Sequence, residues 1–111
     1  MNILIVGGGL QALSVARSLK KERYSVIALL HRGDISTKSK YIDELYTIDI
    51  TPTYKKEYLS SVHRVLQVHA ISVIIPLSDV TAEFLSINKV ELEHEYHLKC
   101  AIPNYDIFQK A

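Results

Sequence analysis

Three short apolar runs, NILIV at 2–6, SVIALL at 25–30 and ISVIIP at 71–76, constrain this chain most strongly. Each is the length of a strand and rich in branched residues. None alternates with polar residues, as a strand buried on one face would. Runs of this kind are strands covered on both faces, and the segments between them carry the cover. From Leu10 to Arg23 the apolar residues recur at spacings of three and four, with Arg17, Lys20, Lys21 and Arg23 gathered toward the end, where cations suit a helix C-terminus. Tyr54 to Ala70 places Tyr58, Val62, Val65 or Leu66, and His69 on one helical face. After ISVIIP and LSD, a third helix runs to about Val90 with Val80, Phe84, Leu85 and Ile87 inward.

The remaining elements are shorter. Gly33 and Asp34 mark a turn, Tyr41 to Leu45 reads as a helical turn, and Tyr46 to Ile50 reads as a third strand ended by Thr51 and Pro52. Leu98 to Ile102 is the fifth strand, and Asn104 caps a last helix from Tyr105 that turns Phe108 inward. Strands alternating with helices give an α/β fold: a Rossmann-like, doubly wound parallel sheet of about five strands with helices on both faces. With 111 residues, 48% of them hydrophobic, the chain has material for one modest core, hence a single domain over 1–111. Its end at Gln109, Lys110 and Ala111, inside a helical pattern, reads as a fragment of a longer chain.

Composition excludes several partners. Thirteen basic residues against twelve acidic ones form no concentrated basic block, so nucleic acid is not expected. The longest apolar runs fall far short of the ~20 residues that span a bilayer, so no membrane partner is expected. No basic region or cleavage site precedes NILIV, and Cys100, the only cysteine, cannot form an internal disulfide. Both fit a cytoplasmic protein.

Between the first strand and helix lies GGGLQA. Gly7, Gly9 and Ala12 match the G-x-G-x-x-A dinucleotide fingerprint in its required strand-to-helix context. Glycine lets the backbone approach a ligand closely, and free amides at a helix N-terminus attract anionic oxygens. The same glycines also serve a tight turn that holds nothing. An NAD site would place an acid at the end of the second strand, where Leu29, Leu30, His31 and Arg32 stand instead. Arg32 suits the 2′-phosphate of NADP, or an ordinary solvated loop.

Three stretches, GGGLQ at 7–11, IIPLSDVTAEFL at 74–85 and IPNYDIFQKA at 102–111, together resemble the N-terminal, pre-ATP-grasp domain of ATP-grasp ligases, in particular the group related to the large subunit of carbamoyl-phosphate synthase. The resemblance covers the whole chain. It implies a substrate-binding domain of a carboxylate-amine ligase that works through an acyl-phosphate intermediate, in which Gly7, Gly8, Gly9, Gln11, Ser78 and Asp79 face a small carboxylate substrate. ATP and magnesium would be bound mainly by the remaining ATP-grasp domains of the same chain. The 111-residue segment alone would need no cofactor and would be inactive. Val80 departs from the pattern, which often has a second acid there. The alternatives are an NADP-binding domain of a dehydrogenase or regulator, using Gly7, Gly9 and Arg32, and a small interaction module.

Other residues carry weaker signals. Asp79 can cap the third helix, with Ser78 beside it and Glu83 a turn later, as well as meet a ligand. His94 and His97 in HEYH have metal-pair spacing but lack a third ligand, which favours a solvated helix end. His63 and His69, six apart, share no ligand geometry, and no residue is assigned as catalytic or as a metal ligand. Cys100 in LKCAI reads as a buried thiol rather than a nucleophile. Ser14 lies outside any G-x-S-x-G elbow. Lys38, Lys40, Lys55 and Lys56 with Tyr41, Tyr54 and Tyr58, interspersed with Asp43, Glu44 and Glu57, read as a solvated surface with tyrosines packing at its edge.

Overall fold

The apolar runs become the centre of one sheet. The structure is a computed structural model that describes residues 1–7, 10–33, 39–49 and 55–100, without the side chains of 10, 11 and 55. In chain order the elements are β1 (Asn2–Val6), α1 (Leu10–Lys21), β2 (Ser25–His31), β3 (Glu44–Ile48), α2 (Lys55–Val68), β4 (Ile71–Pro76), α3 (Asp79–Tyr96) and β5 (Lys99–Cys100). The five strands are ordered β3-β2-β1-β4-β5, and every pairing is parallel. β1 sits in the middle, with Leu4 opposite Ile27 on one side and Ile74 on the other.

The chain steps from β1 outward through β2 to β3, then crosses back to β4 and on to β5. Right-handed crossovers in opposite directions place their helices on opposite faces. Accordingly α1 covers one face, where the small side chains of Ala12 and Ala16 pack with Ile5, Val26, Ala28 and Leu30. On the other face, Tyr58, Val62, Val65 and Leu66 of α2 and Phe84, Leu85 and Leu92 of α3 pack with Leu4, Val6, Ile27, Leu29 and Ile74. Tyr58 and Phe84 meet edge to face with centroids 4.9 Å apart, so Tyr58 belongs to the core rather than to a surface run. Lys40 lies over the Tyr41 ring, 5.4 Å from its centroid, with Lys40 exposed and Tyr41 half-buried against the α1 side of the core.

Several expectations need correction. α1 stops at Lys21 because Arg23 takes the left-handed conformation (φ 67°), with its amide donating to the Lys20 carbonyl. Residues 41–45 form no helical turn. β3 begins at Glu44, opposite Ile27, and the Asp43 backbone is already tied to β2, its amide donating to the Val26 carbonyl at 2.8 Å. α3 continues to Tyr96, where His97 ends it with φ 55°. Its inward face is also different: Phe84 and Leu85 are buried, but Val80 and Ile87 are exposed, and Thr81, Ser86 and Leu92 point inward instead. The polar two can do so because their hydroxyls are satisfied locally, Ser86 donating to the Ala82 carbonyl at 2.8 Å and Thr81 to the Ser78 carbonyl at 3.0 Å. The helix expected from Asn104 and Tyr105 lies outside the described residues, as do Lys38, Ile50 and Tyr54. No helix among the described residues is long and apolar enough to cross a membrane.

One polar tie anchors the β3 edge. Asp43 Oδ2 accepts from the Val26 amide at 2.7 Å, and Lys20 Nζ reaches both carboxylate oxygens at 3.0 Å. Burial on its own raises this carboxyl, but the amide and the ammonium together hold it below its ordinary value. A depressed carboxyl stabilises the fold fully above the unfolded value of about 4 and loses that contribution as the pH falls through the folded one. Asp43→Asn is therefore expected to be less stable than the parent by a constant margin between pH 5 and 8. Denaturant titrations should show that margin narrowing as the pH drops below about 4.

Candidate functional site

In an open parallel sheet, the crevice for a ligand lies outside the carboxyl ends of the strands where the winding reverses. Here that point lies between β1 and β4. Past the strand ends the ladder continues by two bonds, Gly7 amide to Leu29 carbonyl at 3.3 Å and Leu77 amide to Val6 carbonyl at 2.8 Å. They bring the glycine turn against the start of α3.

Gly7 has φ +101°, a conformation that L side chains rarely adopt. A Cβ there would lie 3.3 Å from both the Leu77 Cβ and the Thr81 Oγ1. The turn therefore requires glycine at this position for geometry alone, whatever else the loop does. Gly8 and Gly9 lie outside the described residues. Gln11 lies in the first turn of α1, with its side chain outside the described set.

Opposite Gly7, the cap of α3 is Ser78 and not Asp79. Ser78 is extended (φ −148°, ψ 162°), its Oγ accepts from the Thr81 amide at 3.3 Å, and the Ser78 amide donates to Thr81 Oγ1 at 3.1 Å. The reciprocal partner is Thr81, three residues on, rather than Glu83. Asp79 is then an exposed carboxylate in the first turn, where it complements the helix dipole. Sequence reasoning missed Thr81 and Leu77, although Ser78-x-x-Thr81 has the spacing of a capping box with threonine in the glutamate position. Ser78, Asp79 and the turn at Gly7 thus stand at one sheet end.

Arg32 follows β2 and is 69% exposed on its side chain, with Nε 3.0 Å from Asp49 Oδ1 beyond β3. His31 Nδ1 lies 3.0 Å from the Arg32 carbonyl oxygen. The strand end read as a possible phosphate contact therefore has its guanidinium in an ion pair. An exposed pair of this sort contributes at most about 1 kcal/mol.

Comparison with known proteins adds one finding. No family model matches the sequence, and no curated protein does. Solved structures do match. The biotin carboxylase domain of 2-oxoglutarate carboxylase from Hydrogenobacter thermophilus, in complex with MgADP, ADP and bicarbonate, aligns with TM-score 0.72 at 19% identity, covering 97% of this chain and 24% of that one. The biotin carboxylase domain of a single-chain bacterial carboxylase gives 0.72 at 17% identity, covering 97% and 25%. The biotin carboxylase subunit of pyruvate carboxylase gives 0.68 at 19%, covering 97% and 24%. Biotin carboxylases contain this fold. The chain spans about a quarter of the length of the biotin carboxylase chains it matches.

The other expected candidates separate from the site. His94 and His97 are both exposed, at the end of α3 remote from its capped start. His69 bonds through Nε2 to the Tyr46 hydroxyl at 2.7 Å, joining the end of α2 to β3. Cys100 is 5% exposed, and its amide donates to Glu93 Oε2 at 2.9 Å. Burial, with Glu93 adding to it, pushes the thiol up to about 11. At pH 8 in native buffer Cys100 should react with a disulfide reagent at least a hundredfold more slowly than in denaturant, followed by release of the coloured thiolate.

Proposed function

We propose that this chain is the N-terminal substrate-binding domain of an ATP-grasp carboxylate-amine ligase of the carbamoyl-phosphate synthase large-subunit-like group. The observation that carries the reading is the meeting of a glycine-requiring turn at Gly7 with the capped start of α3 at Ser78, at the reversal point of a sheet whose fold biotin carboxylases share over 97% of this chain. Biotin carboxylases are themselves ATP-grasp enzymes, and one of these structures holds magnesium-bound nucleotide together with bicarbonate, a small carboxylate-like anion.

In such a ligase ATP supplies the phosphoryl group that converts a carboxylate into an acyl phosphate, and an amine or ammonia displaces the phosphate. This chain's part is to position. The backbone at Gly7 lets the substrate come close, and the free first-turn amides of α3 and the Ser78 hydroxyl offer hydrogen bonds to its carboxylate. Asp79 carries a negative charge and suits the incoming amine rather than the anion. ATP and magnesium are assigned mainly to further domains of a longer chain, which are also this domain's partners.

Two experiments test the reading. The natural reading frame is expected to continue past the codon for Ala111 into nucleotide-clamping domains, and residues 1–111 alone should show no ATP turnover. A stop codon at that point, or robust turnover by residues 1–111, overturns it. The rival NADP reading, resting on Gly7, Gly9 and Arg32, predicts a rise in melting temperature with millimolar NADPH that Arg32→Ala abolishes. We expect an unchanged melting curve.

A further inference from the structure

α2 and α3 share one face of the sheet, and each follows a strand-end loop at the carboxyl side and returns toward the amino side. Their later turns therefore meet at the end of the molecule away from Gly7 and Ser78. There His63 of α2, its side chain 22% exposed, is held against Tyr96 of α3. Its Nδ1 lies 2.6 Å from the Tyr96 hydroxyl, and the ring centroids are 5.5 Å apart. Glu95 Oε2 approaches the same Nδ1 at 3.9 Å. Glu91, one turn earlier on α3, completes the group. One ligand atom from each of His63, Glu91 and Glu95 lies within 4.8 Å of the other two.

Two glutamates four apart on a helix repel each other, so this arrangement favours a cation between them. The donors are one imidazole nitrogen and two carboxylate oxygens, a mixed set suited to borderline divalent ions and not to magnesium, which takes oxygen alone. Four-coordinate zinc with bonds of about 2.0–2.2 Å sets its ligand atoms about 3.3–3.6 Å apart. Both glutamates are exposed, so rotating their side chains closes the difference without moving either helix. The imidazole comes from the other helix and is held against α3 by its hydrogen bond to Tyr96.

We propose that His63, Glu91 and Glu95 form a zinc-type divalent metal site that ties α2 to α3, with water in the remaining, solvent-facing position. The competing account is that His63 only pairs with Glu95 across the two helices and no ion binds.

Zinc itself is the probe. Titrating the chelator-stripped 111-residue chain by calorimetry at pH 7.5 is expected to give one zinc ion per chain, at least a hundredfold more tightly than magnesium. The Glu91→Gln/Glu95→Gln double variant, altered only at exposed positions, should lose at least tenfold in zinc affinity, as should His63→Gln where it folds. His94→Gln and Cys100→Ser should keep the parental affinity. Absence of saturable zinc binding overturns the proposal. So does a loss of less than tenfold in the double variant, or a site that disappears with His94 or Cys100 instead.

Discussion

Leu4→Ala is expected to destabilise the fold by about 2–5 kcal/mol, lowering the melting temperature by roughly 8–20 °C at about 4 °C per kcal/mol for a domain of this size. Leu4 is fully buried on the central strand, between Ile27 and Ile74, and packs toward the α2 and α3 side of the sheet. Its strand neighbours are held by ladder bonds, so they cannot slide in to fill the space left beneath α2 and α3. The cost should therefore fall in the upper part of that range. Val90→Ala is the control, an apolar truncation at a position 80% exposed, and it should change stability by less than about 0.5 kcal/mol. Equal losses in the two variants, read by chemical denaturation, would refute this account of where the core lies.

Gly7→Ala should cost about 1–3 kcal/mol through backbone strain alone. The new methyl group adds to that by entering 3.3 Å contacts with Leu77 Cβ and Thr81 Oγ1. Gly33→Ala separates the two effects, because Gly33 also has a positive φ (+82°) but nothing lies within 4 Å of the added carbon. We expect Gly7→Ala to lose clearly more stability than Gly33→Ala. Because Thr81 is the capping partner of Ser78, hydrogen exchange at the first-turn amides of α3 should quicken in the Gly7 variant only. Identical behaviour of the two variants would mean that the glycine turn and the α3 cap are not packed together as described.

How much was legible from residues alone follows from which forces act on them. β1 was readable to the residue and β2 to within one, because a strand buried on both faces has to be apolar throughout, and β4 was readable to the residue from its apolar run although only Ile71 and Ile74 are buried. β3 is an edge strand with a mixed pattern, and its start was misplaced because pairing with Ile27, not its own composition, decides where Glu44 enters the sheet. The inward face of α3 was misread for a related reason. Val80 and Ile87 are better hydrophobes than Thr81 and Ser86, yet local hydroxyl bonds make the polar pair cheap to bury. The glycine turn was visible at once. That it abuts Leu77 and Thr81 was not, because the contact joins positions some seventy residues apart. The grouping of His63 with Glu91 and Glu95 was hidden likewise, since it depends on two helices lying side by side.

The central place of β1 also shapes how the chain can be made. β1 and β2 are separated only by α1, so β1, α1 and β2 can assemble soon after they leave the ribosome. The other edge of β1 stays open until β4 emerges, about 65 residues later, or roughly 3–13 s at ordinary rates of synthesis. Through that interval the most apolar strand in the protein presents unpaired backbone to its surroundings. A chain cut short before Ile71 would stay in that state, which makes truncation products of this protein expected clients of chaperones and proteases rather than smaller folded domains.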